Sequence, residues 1–262
     1  MFTNNLNPII FQSNLISIRW YGVFLALGIL MSVLVLIKLF KAKKWTTDQT
    51  LDLCIWLILG GLLGARIGEI LFYNFSYYWQ NPLEIFFINH GGLSSHGMTI
   101  GIILTVIIYG YYKKISFFNI ADTFVVVVPL LAGFIRLGNF FNSEILGRIT
   151  SVPWGVYFAR AEQFPLLRHP VVLYEMLVAW TLFIFLYLVY QKYSTTWRSG
   201  SIFNLFLFLY FSSRFLLEFF KEYQTFWEGI LTAGQWLSLP FIIFSILLFF
   251  WIKKRETNGF PK

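Results

Sequence analysis

The sequence predicts an all-α membrane protein, a polytopic bundle of about seven transmembrane helices with a small extracytoplasmic cap. Composition is the first reason: 58% of the 262 residues are hydrophobic and 12% are charged, whereas soluble domains carry about 25% charged residues. The second reason is the apolar runs, each of which is near the roughly 17–25 residues that a helix needs to cross a bilayer. The third is that the alternation over about ten residues that is typical of membrane β-barrel strands does not occur.

Seven apolar segments are predicted to span the membrane. In chain order they are 16–38, 50–73, 97–112, 117–136, 171–190, 201–220 and 234–252. The longest connection, 137–170, contains three prolines and is predicted to form the extracytoplasmic cap, with little regular structure. Neither an internal repeat nor a linker interrupts the chain, so residues 1–262 are predicted to form a single integral membrane domain.

The lysines predict the orientation of these spans. All but one of the eleven lysines lie in four groups, which follow the first, third, fifth and seventh spans. Because cytoplasmic loops are enriched in Lys and Arg, the N-terminus is predicted to lie outside and the C-terminus in the cytoplasm. The net charge of +8 does not predict a nucleic-acid partner, since such a surface needs basic residues gathered on one exposed element.

The arginines are distributed differently from the lysines. Four of them lie in or at the ends of apolar spans: Arg19, Arg66, Arg136 and Arg214. Charged groups at that depth usually face a bundle interior or a watery cavity, and Arg binds phosphate through a planar bidentate fork. Two interpretations are open: an anionic ligand such as a lipid headgroup, or ion pairs that fasten helices, for example Arg66 with Glu69.

The richest polar segment is Arg-Leu-Gly-Asn-Phe-Phe-Asn-Ser-Glu at 136–144, which follows a charge-free apolar run. It brings an arginine, two amides and a carboxylate to the end of a span. In the sixth span, Arg214 and Glu218 are four residues apart and share a helix face. Because burying such an ion pair gains little stability by itself, a role for Arg214 beyond the pair is favoured.

His96 lies in a Gly/Ser-rich segment, 91–97, at the start of the third span. Histidine titrates near neutrality and can move a proton to or from a thiol; the alternative is a structural histidine bonded to a backbone carbonyl. The three histidines, His90, His96 and His169, lack the spacing and the cysteine partners of a metal site, so no metal is predicted. Cys54, the only cysteine, is interpreted as a small apolar helix residue.

Seven motifs in chain order resemble those of the prolipoprotein diacylglyceryl transferases, a family of bacterial membrane enzymes. They are Arg-Trp-Tyr-Gly at 19–22, Gly-Ala-Arg at 64–66, Gly-Gly-Leu-Ser-Ser-His-Gly at 91–97, the segment 136–144, Arg-His-Pro followed by Tyr-Glu at 168–175, the segment 210–219, and Gly-Gln-Trp-Leu-Ser-Leu-Pro at 234–240. The chain departs from the family at Ile135 and Ser143, where glycine is usual, and at Ser212 and Ser213 in the sixth-span motif.

The resemblance implies transfer of the sn-1,2-diacylglyceryl group of phosphatidylglycerol to the lipobox cysteine of a prolipoprotein signal peptide. The products are a thioether and glycerol 1-phosphate, in the first step of lipoprotein maturation at the bacterial cytoplasmic (inner) membrane, and no cofactor is implied. Arg136 and Arg214 are expected to bind the phosphate and stabilise the leaving group. His96 is expected to accept or orient the thiol proton, although substrate-assisted proton loss stays open.

Further substrate-binding residues follow from the same resemblance. Asn139 and Glu144 are expected to bind the glycerol headgroup or to fix Arg136, Glu218 to orient Arg214, and Tyr21 to add a polar contact. Two other function classes stay under consideration. A secondary transporter for an anionic solute usually shows a two-fold repeat and broken helices, which the sequence lacks. A structural assembly subunit has no reason to place polar motifs on the outer half of its spans.

Overall fold

The computed structural model describes residues 2–14, 16–87, 91–223 and 229–257, so His90 lies outside the described residues. The chain forms two compact units, Met1–Val35 with Asp122–Lys262, and Leu36–Ala121. Each unit contains packed helices and buried polar side chains of its own. The single-domain boundary of 1–262 stays a prediction.

The described residues form eight α-helices: α1 (Trp20–Ala42), α2 (Thr47–Phe72), α3 (Phe75–Gln80), α4 (Ser95–Lys113), α5 (Phe117–Phe141), α6 (Val171–Tyr193), α7 (Ser201–Leu217) and α8 (Ala233–Thr257). Seven of them, all except the short α3, are long and apolar enough to cross a membrane, which confirms the predicted polytopic all-α fold for the described part of the chain. Short 3-10 turns also form at Pro82–Phe86 and Glu218–Phe220.

The end of α5 differs from its predicted position in a way that matters for function. The helix continues to Phe141, beyond the predicted end at residue 136. Arg136 and Asn139 therefore lie on successive turns of one helix, and Asn139 does not belong to an irregular loop. This gives the two side chains a fixed spacing of three residues, which places them on the same helix face.

Short β-strands, which the sequence did not predict, form in the unit made of Met1–Val35 and Asp122–Lys262. They are β1 (Phe2–Asn4), β2 (Ile9–Gln12), β3 (Ser17–Arg19), β4 (Val156–Phe158) and β5 (Leu167–Arg168). β1 is parallel to β4, β5 is antiparallel to β4, and β2 pairs with β3 in a hairpin. Strands of two to four residues are too short for a period-two pattern to be recognised.

A buried apolar cluster joins this sheet to the helices. Its members come from α5, β4 and α6: Phe140, Val156, Phe158, Val171 and Val172. The fully buried side chain of Asn4 donates from Nδ2 to the carbonyl oxygen of Phe140 at 2.8 Å. Because β1 is thus bonded to both β4 and the last turn of α5, the end of α5 is held against the small sheet.

The helices of the same unit are fixed at their ends by side-chain caps. Asp122 on α5 accepts hydrogen bonds from the backbone nitrogens of Gly200 at 2.6 Å and Phe203 at 2.7 Å, at the start of α7. Thr232 and Gln235 exchange side-chain to backbone bonds of 2.9 and 3.2 Å at the start of α8, as in a capping box. These capping side chains fix where α7 and α8 begin.

In the Leu36–Ala121 unit, α2 and α4 pack through facing glycines. Gly60, Gly64 and Gly68 lie at four-residue intervals on α2, opposite Gly97 and Gly101 on α4. A Cβ atom on Gly64 would lie 2.5 Å from the carbonyl oxygen of Gly97, so no larger residue fits. Small residues at this spacing let membrane helices approach closely, and the result fixes the first turn of α4, where His96 lies.

Arg66 has a structural role in this unit. Its guanidinium donates to the carbonyl oxygens of Glu84, Ile85, Phe87, Gly91 and Gly92. It also lies 4.9 Å from the centroid of the Tyr78 ring. Glu69 accepts from Asn74 at 2.7 Å and is not its partner. Both interpretations given for Arg66, an anionic ligand or an ion pair with Glu69, are therefore replaced by the binding of a loop backbone.

Candidate active site

The guanidinium group of Arg136, on α5, contacts one side chain of α6 and one of α5. Its Nε lies 2.8 Å from Oε2 of Glu175, and its Nη1 donates to Oδ1 of Asn139 at 3.2 Å. The Glu175 side chain is 8% exposed and that of Arg136 is 20% exposed. Among the described residues Nη2 has no hydrogen-bond partner. The guanidinium is thus oriented from one side and keeps donors available for an anion.

Asn139 joins Arg136 to Glu144. While Oδ1 of Asn139 accepts from Arg136, its Nδ2 donates to Oε2 of Glu144 at 2.7 Å. Oε1 of Glu144 accepts from Nδ2 of Asn142 at 3.1 Å, and the backbone nitrogen of Glu144 donates to the carbonyl of Asn139 at 3.0 Å. The amide therefore orients the arginine and the carboxylate together by lying between the two charges.

The turn that carries Glu144 is strained on both sides. Ser143 and Ile145 have φ of 56° and 60°, in the left-handed region that L-residues rarely adopt. Glycine, which stands at this position in the motif that the segment resembles, adopts this region without a steric cost. The Ser143 hydroxyl is also buried without a hydrogen-bond partner among the described residues. Strained conformations persist where the surrounding structure imposes them, and they cluster at functional sites.

Tyr21, on the first turn of α1, contacts the same region through Gly138. A Cβ atom on Gly138 would lie 2.8 Å from Cδ2 of Tyr21 and 3.1 Å from its Cα, so only glycine permits this approach. The phenol interacts electrostatically with Glu144 and with Arg136. The structure thus brings Tyr21, Arg136, Asn139 and Glu144 together within one unit.

Arg214 and Glu218 lie at the end of α7 in the same unit. Nη2 of Arg214 is 3.5 Å from Oε1 of Glu218, and the side chains are 30% and 7% exposed. Oε2 of Glu218 accepts from the Thr232 hydroxyl at 3.3 Å. A Cβ on Gly234 would lie 2.0 Å from Oε1 of Glu218, so this glycine of the last motif makes room for the carboxylate.

Lys221, for which the sequence predicted no role, connects the two arginine sites. Its Nζ lies 2.6 Å from Oε1 of Glu175 and 2.9 Å from Oε1 of Glu218, and the residue is 4% exposed. A signal was present: Lys221 is the one lysine outside the four lysine groups that follow the spans. Glu175 likewise lies in one of the seven family-like motifs, but no role was predicted for it.

These contacts form a row of charges of alternating sign, named here the charge chain. Its members, in spatial order, are Arg136, Glu175, Lys221, Glu218 and Arg214. When all are ionised, three cations and two carboxylates leave an excess of one positive charge. The two terminal arginines are the more exposed members, whereas the three central side chains are almost fully buried. The charge chain thus suits an anion held at the arginines.

His96 lies in the Leu36–Ala121 unit, on the first turn of α4, and is exposed. Its Nδ1 is 3.0 Å from the hydroxyl of Tyr73. The turn begins at Ser94, whose hydroxyl accepts from the backbone nitrogen of Gly97 at 3.1 Å. The hydrogen-bonding partner of His96 is thus a phenol and not the backbone carbonyl of the structural alternative. The other ring nitrogen, Nε2, has no partner among the described residues.

Arg168 and His169 are neighbours in the cap, and both are engaged locally. Arg168 forms ion pairs of 2.6 Å with Glu162 and with Glu222. His169 lies with Nδ1 3.2 Å from the hydroxyl of Tyr174, and that oxygen accepts from Nε1 of Trp154 at 2.7 Å. The tyrosine oxygen accepts from the tryptophan and keeps its own proton, which it can donate to a neutral His169. Burial lowers the pKa of His169, which favours this neutral form.

Comparison with known proteins agrees with the motifs. The family described as prolipoprotein diacylglyceryl transferase matches residues 8–251. A phosphatidylglycerol–prolipoprotein diacylglyceryl transferase of Chloroherpeton thalassium is 41% identical over 249 residues, which cover 94% of this chain and 92% of the relative. Proteins of the same name from Bacteroides fragilis and Aliivibrio salmonicida are 38% and 40% identical, over 97% and 96% of this chain and 96% and 89% of the relatives. The chain belongs to the prolipoprotein diacylglyceryl transferase family.

Proposed function

We propose that this chain transfers the sn-1,2-diacylglyceryl group of phosphatidylglycerol to the lipobox cysteine of a prolipoprotein. The cysteine thiolate forms a bond from sulfur to the glyceryl carbon that carries the phosphate. The bond between that carbon and the phosphate oxygen breaks, and its electron pair leaves with glycerol 1-phosphate. The product is a thioether, and the thiol proton passes to a base. The family membership and the charge chain support this reaction.

The charge chain carries the assignment of the phosphate-binding residues. In phosphatidylglycerol the phosphate is a monoanion, and its negative charge grows as the carbon–oxygen bond breaks. Arg136 and Arg214 lie at the two exposed ends of a row with one excess positive charge. Cations held in place before the reaction stabilise charge that develops in the transition state. We therefore assign both arginines to the phosphate and to the leaving group.

The side chains around each arginine have supporting roles in the proposal. Asn139 and Glu144 orient Arg136 through the contacts of the Asn139 amide. The carboxylate oxygens of Glu144 also accept hydrogen bonds from the hydroxyl groups of the glycerol headgroup. Glu218 orients Arg214. Tyr21 adds a polar contact beside Glu144. Ser143 precedes Glu144 in the strained turn that follows α5.

His96 is the proposed acceptor of the thiol proton. A cysteine thiol has a pKa of about 8.5, so a base increases the fraction of thiolate at neutral pH. A neutral imidazole that accepts a proton at Nε2 carries its own proton at Nδ1. The hydroxyl of Tyr73 lies 3.0 Å from Nδ1 and can accept from it. We therefore infer that Tyr73 accepts from Nδ1 in the tautomer in which His96 acts as a base.

The proposal includes the cellular setting. The seven spanning helices place the chain in a membrane, and we propose the bacterial cytoplasmic membrane, with the N-terminus outside and the C-terminus in the cytoplasm. The lysine groups support this orientation. The cap and the arginines then lie on the outer side, where a signal peptide emerges during export.

Mass spectrometry of a lipobox peptide tests the reaction. The purified protein in detergent is incubated with phosphatidylglycerol and the peptide, without an ion gradient. We expect the peptide to gain the mass of one diacylglyceryl group, and a peptide with serine in place of the lipobox cysteine to remain unmodified. An unmodified cysteine peptide in the presence of folded protein contradicts the proposal and leaves the transporter alternative open.

A further inference from the structure

We propose that Lys221 is a positioning residue that keeps Arg136 and Arg214 available to the lipid phosphate by sharing their carboxylate partners; this rests on the proposed function. Its Nζ lies 2.6 Å from Glu175 and 2.9 Å from Glu218. Each of these carboxylates also contacts one of the arginines. Lys221 is buried and does not present its ammonium group at the surface, so it acts on the substrate through the arginines.

The charge balance explains why a buried lysine is useful at this place. An arginine that is fully paired with its own carboxylate is electrically neutralised and attracts a phosphate weakly. Lys221 draws one oxygen of each carboxylate, Oε1 of Glu175 and Oε1 of Glu218, toward itself. The charge chain then keeps one excess positive charge, whereas without Lys221 two cations would face two carboxylates. Since all central members are buried, solvent screens this difference only weakly.

The backbone of Lys221 is held in place independently of these side chains. Its nitrogen donates to the carbonyl of Glu218 at 3.1 Å, and its own carbonyl accepts from Nε of Arg148 at 2.9 Å. Gly147 forms a β-bridge with Lys221, and the backbone nitrogen of Arg148 donates to Phe220 at 2.8 Å. The segment after α5 therefore fixes the segment after α7, and the ammonium group is in position before substrate binds.

The test compares the catalytic efficiency, kcat/KM for phosphatidylglycerol, of three variants with that of the wild type. Lys221→Met removes the charge and leaves two cations against two carboxylates. Lys221→Met/Glu175→Gln removes one carboxylate as well and restores the excess of one positive charge, while the glutamine keeps a polar side chain beside Arg136. Lys192→Met is the control, because Lys192 is an exposed lysine in the last turn of α6. Thermal unfolding is recorded for each, and activity is measured well below every unfolding midpoint.

We expect Lys221→Met to lower kcat/KM by about 10²-fold, as for the loss of one charge-stabilising group. The double variant should have a kcat/KM at least about tenfold higher than that of Lys221→Met. Lys192→Met should match the wild type. Lys221→Met with wild-type efficiency overturns the proposal, and so does a double variant no better than Lys221→Met.

Lys221→Met leaves buried carboxylates short of a cation and can fail to fold. If Lys221→Met does not fold, the double variant alone tests the proposal. A kcat/KM within about tenfold of the wild type supports it, and a larger loss in folded protein overturns it. Failure of the proposed function is a separate result, since the wild type itself would then transfer no diacylglyceryl group.

Discussion

Nδ1 of His96 lies 3.0 Å from the hydroxyl oxygen of Tyr73, within the Leu36–Ala121 unit. The contact has a chemical consequence, because the two nitrogens of a neutral imidazole have opposite roles. If Tyr73 accepts from Nδ1, then Nε2 carries a lone pair and can receive the proton of a thiol. The facing glycines of α2 and α4 hold the turn that presents His96.

Replacement of His96 tests proton transfer. His96→Gln keeps a hydrogen-bonding side chain but removes the base, and we expect turnover at neutral pH to fall by about 10²–10⁴-fold. The defect should shrink as the pH rises toward about 9, because the substrate thiol then ionises unaided. Tyr73→Phe should show a smaller defect of the same kind. The measurement is the pH profile of kcat/KM.

His169→Gln is the matched control for this profile. His169 is bonded to Tyr174 in the cap, so its replacement should give no recovery at high pH. A pH-independent defect in His96→Gln would remove the proton-transfer role and leave His96 as a residue that positions substrate or stabilises the fold.

Replacement of Arg136 tests phosphate binding. Arg136→Lys keeps the positive charge, but one ammonium group cannot bond Glu175 and Asn139 and still offer two donors to a phosphate. We expect turnover to fall by about 10²-fold, as measured by the lipobox-peptide assay. Arg160→Lys, at an exposed arginine of the cap, is the control. Near-normal turnover of Arg136→Lys in folded protein would show that Arg136 is structural.

The strained turn at Ser143 predicts a gain in stability. Glycine adopts a φ of 56° without the steric cost that serine pays. We expect Ser143→Gly to raise the free energy of unfolding by about 0.5–1 kcal/mol, seen as a higher thermal midpoint in detergent. Ser143→Ala also removes the buried hydroxyl but keeps the Cβ atom, so Ser143→Gly should be the more stable of the two variants. A Ser143→Gly variant less stable than Ser143→Ala would contradict the strain.

The spans could be predicted from the sequence because their apolar runs carry a strong signal. The polar residues near the span ends could be identified as well, since Arg136, Asn139, Glu144, Arg214 and Glu218 interrupt or follow those runs. All five lie in one unit, where Arg136 is linked through Asn139 to Glu144, and Arg214 pairs with Glu218. Their catalytic and binding roles stay predictions.

The sequence could not show how these residues are connected. Glu175 and Lys221 lie in different segments, and their contact of 2.6 Å depends on how α6 and the segment after α7 pack. Hydrophobic periodicity carries no such information. Arg66 shows the opposite error, because a guanidinium bound to five backbone carbonyls has the same sequence context as one that binds an anion. The five β-strands were missed because each has only two to four residues.

Replacement of Gly64 tests the packing of α2 against α4. A Cβ there would lie 2.5 Å from the carbonyl oxygen of Gly97 and 2.7 Å from Cα of Gly101, so α4 must move. We expect Gly64→Ala to lower the free energy of unfolding by about 1–3 kcal/mol, measured by thermal or denaturant unfolding in detergent. Gly22→Ala is a helical control with nothing within 4 Å, and it should be neutral or stabilising. Equal stability of the two variants would contradict the close approach.

Labelling tests the proposed orientation. In a Cys54→Ala background, a cysteine at Gln163 in the cap should react with a thiol reagent that cannot cross the membrane. A cysteine at Thr195, between α6 and α7, should react only after the membrane is permeabilised. Both positions are exposed. The reverse pattern would overturn the orientation and place the arginines on the cytoplasmic side.

The most direct test of the proposed transfer follows both products of one reaction. Phosphatidylglycerol and a lipobox peptide are incubated with the protein, and phosphorus NMR and peptide mass spectrometry are recorded on the same sample. We expect one glycerol 1-phosphate for each peptide that gains a diacylglyceryl group, because cleavage occurs between the glyceryl carbon and the phosphate oxygen. A peptide that gains a single acyl chain with release of a lysophospholipid would contradict this reaction, as would folded protein that leaves both substrates unchanged.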